Sequence, residues 1–205
     1  RVIAPDQIGF CTSSKPAYYQ YTFQQLAHNT HSLLEQLGVK QAIVLGHSTG
    51  GMLATRYALM YPQQVERLAM VNPIGLEDWK ALGVPYRTVD QWYARELKLD
   101  ANGVREYERK TYYAGRWKPE YERWVQMLVG LNKGPGHEAV AWNSALIYDM
   151  IFTQPVYHEF KDLQMPTLLL IGDKDTTAIG SDIAPPDVKA KLGKYEVLGP
   201  QVAKL

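Results

Sequence analysis

The sequence predicts an α/β fold: a mostly parallel sheet flanked by helices, with a helical segment inserted into it. Three observations carry this. Short apolar runs alternate with stretches of helical periodicity. A glycine-rich turn, GHSTGG at 46–51, joins one such run to a helix. Between the third and fourth runs lie about ninety residues of aromatic-rich helical pattern, too long for a simple crossover.

Residues 1–4, RVIA, are a β-branched run ended by Pro5 and read as a buried strand. A loop rich in Pro, Gly, Ser and Tyr follows. Thr22, with Gln25 three residues on, sets up a capping box. The spacing of Phe23, Leu26, Ala27, Thr30, Leu33, Leu34 and Leu37 predicts a helix that Gly38 ends. QAIVL at 41–45 reads as a second strand, Thr49 to Met60 as a helix, RLAMVN at 67–72 as a third strand, and TLLLI at 167–171 as a fourth. Strands that are continuously apolar predict a sheet covered on both faces.

The insertion, residues 76–165, holds all five tryptophans and eight of the fourteen tyrosines. It predicts helices at 88–99, near 104–113, at 119–129 and at 137–152, separated by turns at Asn102-Gly103 and 132–136. The expected domains are therefore a core of residues 1–75 and 166–205 and a helical insertion of 76–165. Trp79, Trp92, Tyr93, Tyr112, Tyr113, Trp117, Trp124, Trp142 and Tyr148 are expected mostly to pack the insertion, a minority forming an apolar substrate pocket.

Composition narrows the function classes. The 205 residues carry a net charge of +1, with 46% hydrophobic and 21% charged residues. No basic block suggests nucleic acid, and no apolar stretch approaches a membrane span. Cys11 is alone, so neither an internal disulfide nor a cysteine metal cluster is expected. The chain opens at RVIAPDQ and stops at QVAKL, which reads as a piece of a longer protein. Compartment and oligomeric state stay open.

The chemistry concentrates at Gly46-His47-Ser48-Thr49-Gly50, a G-x-S-x-G pattern with a strand before it and a helix after it. Such a turn lifts the serine out of the backbone in a strained conformation, and small neighbours make room for it. The helix that follows directs its positive end at the serine, and the Thr49 N–H is a candidate oxyanion donor. The alternative is a Gly-Ser turn without chemistry.

These residues resemble the α/β-hydrolase superfamily, specifically its cap-bearing serine hydrolases. RVIAPDQIGF is similar to the family's fourth strand and loop, IVLGHSTGG to its fifth strand and nucleophile elbow. ALMYPQQVERLAMVNPIG is similar to the elbow helix and sixth strand, MPTLLLIGDKD to the seventh strand and acid loop. The resemblance implies Ser48 as nucleophile and Asp175, last in a G-x-x-D pattern, as triad acid; Asp173 is the rival. It places the insertion at the family's cap, and NPIGLEDWK at its hinge. Asp6 and Gly9 match a loop near the active site, with a structural role expected.

The resemblance also implies a histidine after an eighth strand, yet His28, His31, His47, His137 and His158 all precede Asp175. His47 is expected to turn away from Ser48. His28 and His31, with Glu35, form a solvated helix face rather than a metal site, and His137 and His158 have hydrogen-bonding or surface roles. The base and a second oxyanion donor are expected outside the 205 residues, which by themselves are expected to be poorly soluble and inactive.

The resulting expectation is a serine hydrolase acting on a small or medium ester-like small-molecule substrate, with no metal or organic cofactor, no nucleic acid and no membrane span. Carbon–carbon bond hydrolases, perhydrolases and amidases share a serine elbow. A non-catalytic ligand-binding relative of the same fold is the rival from another class.

Overall fold

The computed structural model describes residues 1–205, except the side chains of residues 131 and 132. By compactness it divides into two units: residues 21–86 with 150–205, and residues 1–20 with 87–149.

In the first unit, α1 (Phe23–Gln36) begins where Thr22 accepts the Gln25 N–H at 3.0 Å. Only half of the expected capping box forms, because the Gln25 amide turns to Asn29 instead. Helix α1 ends in a Schellman motif: Gly38 has φ +68°, its N–H bonds to Glu35 O, and Val39 N–H bonds to Leu34 O. Phe23, Leu26, Ala27 and Leu34 form its buried stripe. His28 and His31 are not simply solvated. The His28 ring bonds to the Tyr61 hydroxyl, while His31 stacks on Tyr61 and bonds to Gln64.

Strand β1 (Ala42–His47) leads into α2 (Thr49–Met60), β2 (Val65–Val71) follows, and β3 (Thr167–Leu170) completes a three-stranded parallel sheet in the order β1-β2-β3. Val44, Leu68, Gly46 and Met70 share one face by register, and on that face Gly46, Leu68 and Met70 are buried. Thr55 of α2, itself fully buried, lies 3.4 Å from Met70 Sδ. On the other face Ile43 and Leu45 are 61% and 67% exposed, and Leu168 and Leu170 are 54% and 48% exposed. The expected burial of both faces is thus corrected among the described residues: apolar strand composition supplies two apolar faces, and only one is covered here.

Residues 1–4 do not form the expected strand. A strand holds only when its backbone groups find a ladder, and the described sheet has no partner for them; Val2 is 92% exposed. After β3, α7 (Pro186–Lys189) and α8 (Tyr195–Val202) pack through Val188, Tyr195 and Val202.

The second unit holds α3 (Val89–Glu96), α4 (Ala101–Thr111), α5 (Glu122–Lys133) and most of α6 (His137–Thr153). A full capping box does form here, between Thr88 and Gln91. The turn expected at Asn102-Gly103 is instead the first turn of α4, because Asp100 accepts the Gly103 N–H at 2.8 Å and starts the helix. The turn expected at 132–136 falls at 134–136, and the Asn132 side chain lies outside the described residues. The aromatics are largely spent on one another: Trp92 stacks on Tyr148, and Tyr113, Trp117 and Tyr121 form one cluster.

Gly38 occupies a left-handed position with open space around its Cα, so Gly38→Ala tests conformation alone. It is expected to lower stability by about 1 kcal/mol, measured by urea unfolding.

Candidate functional site

The carboxyl ends of the parallel strands carry the chemistry-bearing residues. Ser48 follows β1 directly and is the residue before α2, with φ 54° and ψ −120°. A non-glycine residue at such an angle stores roughly 1–3 kcal/mol of strain and persists only where its surroundings hold it. Those surroundings are explicit. Ser48 N–H donates to Val71 O at 3.2 Å, and Ser48 O accepts from Gly51 N–H at 2.9 Å and Ile74 N–H at 3.3 Å.

The elbow glycines are not equivalent. A Cβ on Gly46 would lie 2.1 Å from Gly50 O, so only glycine lets the strand end and the helix start approach so closely. A Cβ on Gly51 would lie 2.5 Å from Pro73 Cβ. Gly50 was expected to be needed for room, but a Cβ there would meet nothing within 4 Å. His47 closes β1 on the sheet face of Ile43 and Leu45, and it is exposed. Thr49 opens α2, half-buried.

Asp175 lies in the loop after β3 and is half-buried, whereas Asp173 is exposed. One carboxylate oxygen of Asp175 accepts the Thr177 N–H at 2.9 Å; the other accepts the Asn72 side-chain amide at 2.8 Å. Asn72 was not singled out from the sequence. It stands immediately after β2, has φ 41°, and donates its own N–H to Leu170 O at 2.7 Å. Its signal was present: a polar residue ending the run RLAMVN, one position past a strand that runs between the serine's strand and the acid's.

The four remaining histidines are engaged elsewhere. His28 and His31 bond to Tyr61 and Gln64, His137 reaches the Leu97 carbonyl, and His158 pairs with Asp78 at 2.9 Å. Partial burial pulls the Asp78 carboxyl up, but the His158 and Ala81 N–H bonds outweigh it and hold it below its usual range. In the other unit, Asp6 accepts from Thr12, and the Gly9 carbonyl accepts from the buried Asn143 amide. Both therefore organise a loop, as expected. Among the described residues no group of His, Cys, Asp and Glu is placed to hold a metal ion, and no helix is long and apolar enough to cross a membrane.

The family model of the alpha/beta hydrolase fold matches residues 1–184, and the chain belongs to that superfamily. Among solved structures it is similar to a probable hydrolytic enzyme from Pseudomonas aeruginosa PAO1, at 68% identity and a TM-score of 0.94, over 97% of this chain and 64% of that one. Among curated proteins it is 29% identical to Lipase 3 of a Moraxella species, over 90% of this chain and 59% of the lipase. A shorter match, 37% identical, is to 2-hydroxymuconate semialdehyde hydrolase of Pseudomonas putida, over 37% of this chain and 27% of that protein. The chain thus spans less than two thirds of each of these relatives.

The two elbow glycines yield a paired expectation. Gly46→Ala forces backbone apart in the core and is expected to cost about 3 kcal/mol, lowering Tm by roughly 6–12 °C. Gly50→Ala is expected to shift Tm by no more than about 2 °C. Thermal melts of the two variants check the difference.

Proposed function

We propose that this protein is a serine hydrolase of small or medium ester-like substrates. The observation that carries the reading is the strained backbone of Ser48 at a strand-to-helix junction, held by the same β2 exit whose next residue grips Asp175. Strain maintained by dedicated hydrogen bonds marks a residue whose side chain must point somewhere particular.

In this reading Ser48 Oγ attacks the substrate carbonyl while a histidine takes its proton. Asp175 holds that histidine in the right tautomer and stabilises its imidazolium form. The Thr49 N–H, at the positive end of α2, is one donor to the tetrahedral oxyanion. The imidazolium gives that proton to the departing alcohol as the tetrahedral intermediate collapses to an acyl-enzyme. The histidine then takes a proton from the attacking water and returns it to Ser48 Oγ as the carboxylic acid leaves. We place that base outside these 205 residues, because in this fold the histidine follows the acid in chain order and all five histidines here precede Asp175; in this reading the 205 residues alone are inactive. The helical insertion, residues 76–165, serves as the cap of the fold.

A carbon–carbon bond hydrolase is the second reading, favoured by the match to the semialdehyde hydrolase. The lipase match extends over much more of the chain and supports the ester reading. Perhydrolase chemistry and non-catalytic ligand binding are the remaining alternatives.

A fluorophosphonate probe on the full-length protein is expected to label the wild type and not Ser48→Ala; equal labelling of both would remove the nucleophile. A second expectation concerns Asn72. Asn72→Ala takes one donor from the Asp175 carboxylate, and hydrogen bonds to charged groups contribute about 1.5–3 kcal/mol. Hydrolysis of a p-nitrophenyl ester is therefore expected to slow by about 10- to 100-fold in kcat, with KM little changed.

A further inference from the structure

We infer that Glu77 is a positioning residue for the loop that carries Asp175, acting through the turn at Gly193. The inference rests on the proposed role of Asp175 and extends it to a group that the sequence marks only as part of the NPIGLEDWK stretch.

Glu77 lies in the segment leaving β2, only 7% exposed. One of its carboxylate oxygens accepts two N–H groups, Trp79 Nε1 at 3.0 Å and the Gly193 backbone at 2.9 Å. A buried carboxylate that spends one oxygen on a side chain two residues away and on a backbone 116 residues away ties two distant segments together. The second of those segments bears on the acid loop. Gly193 has φ +65°, and a Cβ on it would lie 2.6 Å from Thr176 O and 2.9 Å from Thr176 C. The backbone of Gly193 is thus seated directly on the residue that follows Asp175. The next residue, Thr177, donates its N–H to Asp175.

Asp175 is therefore held from two sides. Asn72 grips one oxygen from the end of β2, and the Thr176–Thr177 backbone supports the other from the turn that Glu77 fixes. The same two segments touch again nearby: a Cβ on Gly180 would lie 2.7 Å from Val84 Cγ1, and one on Gly83 would lie 3.4 Å from Val188 Cγ2. The stretch 76–84 is consequently a wall for the chain that follows the acid, with Glu77 as its polar anchor. Burial pushes the Glu77 carboxyl above its ordinary range, and the Gly193 and Trp79 N–H bonds pull it part of the way back. The neutral acid keeps an acceptor oxygen in the same place, so the anchor needs the acceptor and not the charge.

The test uses the full-length protein, with active sites counted by fluorophosphonate titration. Glu77→Ala is expected to lower kcat per titrated site by about tenfold with KM within about twofold. It is also expected to move the acidic limb of the kcat/KM profile to lower pH, because a histidine loses pKa when its carboxylate partner loosens. Glu77→Gln, which keeps the acceptor, is expected to restore both kcat per site and the acidic limb. Should Glu77→Ala not fold, Glu77→Asp, one methylene too short to reach both donors, is expected to show the same limb shift with a smaller loss of kcat. The inference is overturned if either shortened variant loses only titratable sites, with kcat per site and the acidic limb unchanged, or if Glu77→Gln is as impaired as Glu77→Ala. Turnover by Ser48→Ala would instead remove the triad reading itself, whatever Glu77 does.

Discussion

The exit of β2, from Val71 to Ile74, is the constraint on which the site depends. Val71 O takes the N–H of Ser48, and Ile74 N–H returns a bond to Ser48 O. Between them Asn72 bonds to the end of β3 through its backbone and to Asp175 through its side chain. A parallel sheet makes this possible because all its strands end on one edge, so the middle strand can address both neighbours at once. Strain at Ser48 and a left-handed φ at Asn72 are thus paired features of one hydrogen-bonded junction.

Close approach is the second requirement. The helix after the serine comes so near the strand before it that Gly46 has no room for a side chain, and Pro73 occupies the space beside Gly51. Pro73 belongs to the same β2 exit and is among the fully buried side chains. The junction that bonds to the serine also packs against the first turn of its helix. Gly50 is different: in this structure nothing within 4 Å asks for a glycine there, so the second glycine of the motif is not a steric necessity of the elbow itself.

Polar anchoring in the core unit follows one logic, in which ties with at least one buried or half-buried side chain join segments far apart in sequence. Arg56 reaches Glu159, His158 pairs with Asp78, and Glu77 holds Gly193. Two of the three, through Asp78 and Glu77, have a member in the segment that leaves β2. Loops there carry function, and they need partners because no ladder fixes them. The helical unit has polar ties too, such as Asn143 to Gly9 and Arg105 to Glu122, and adds stacked and edge-on rings from Trp92 to Tyr148.

Much of this was legible in the chain. The apolar runs of β1, β2 and β3, the cap at Thr22, the stop at Gly38 and the span of α2 follow from local rules, because strand alternation, capping and left-handed glycine are decided within a few residues. Ser48 was legible for the same reason, since the strain of an elbow is written in its immediate neighbours. What the sequence could not decide was anything that needs a partner from elsewhere. Residues 1–4 have strand composition but find no ladder in the described sheet, and apolar strands do not say which of their faces is covered. Asn102-Gly103 has turn composition but sits in a helix that Asp100 starts. Asn72 and Glu77 are ordinary polar residues until the fold brings Asp175 and Gly193 to them, from 103 and 116 residues away. Local sequence determined the strained serine; only the tertiary structure determined what holds the acid, because a hydrogen bond across the fold leaves no periodicity behind.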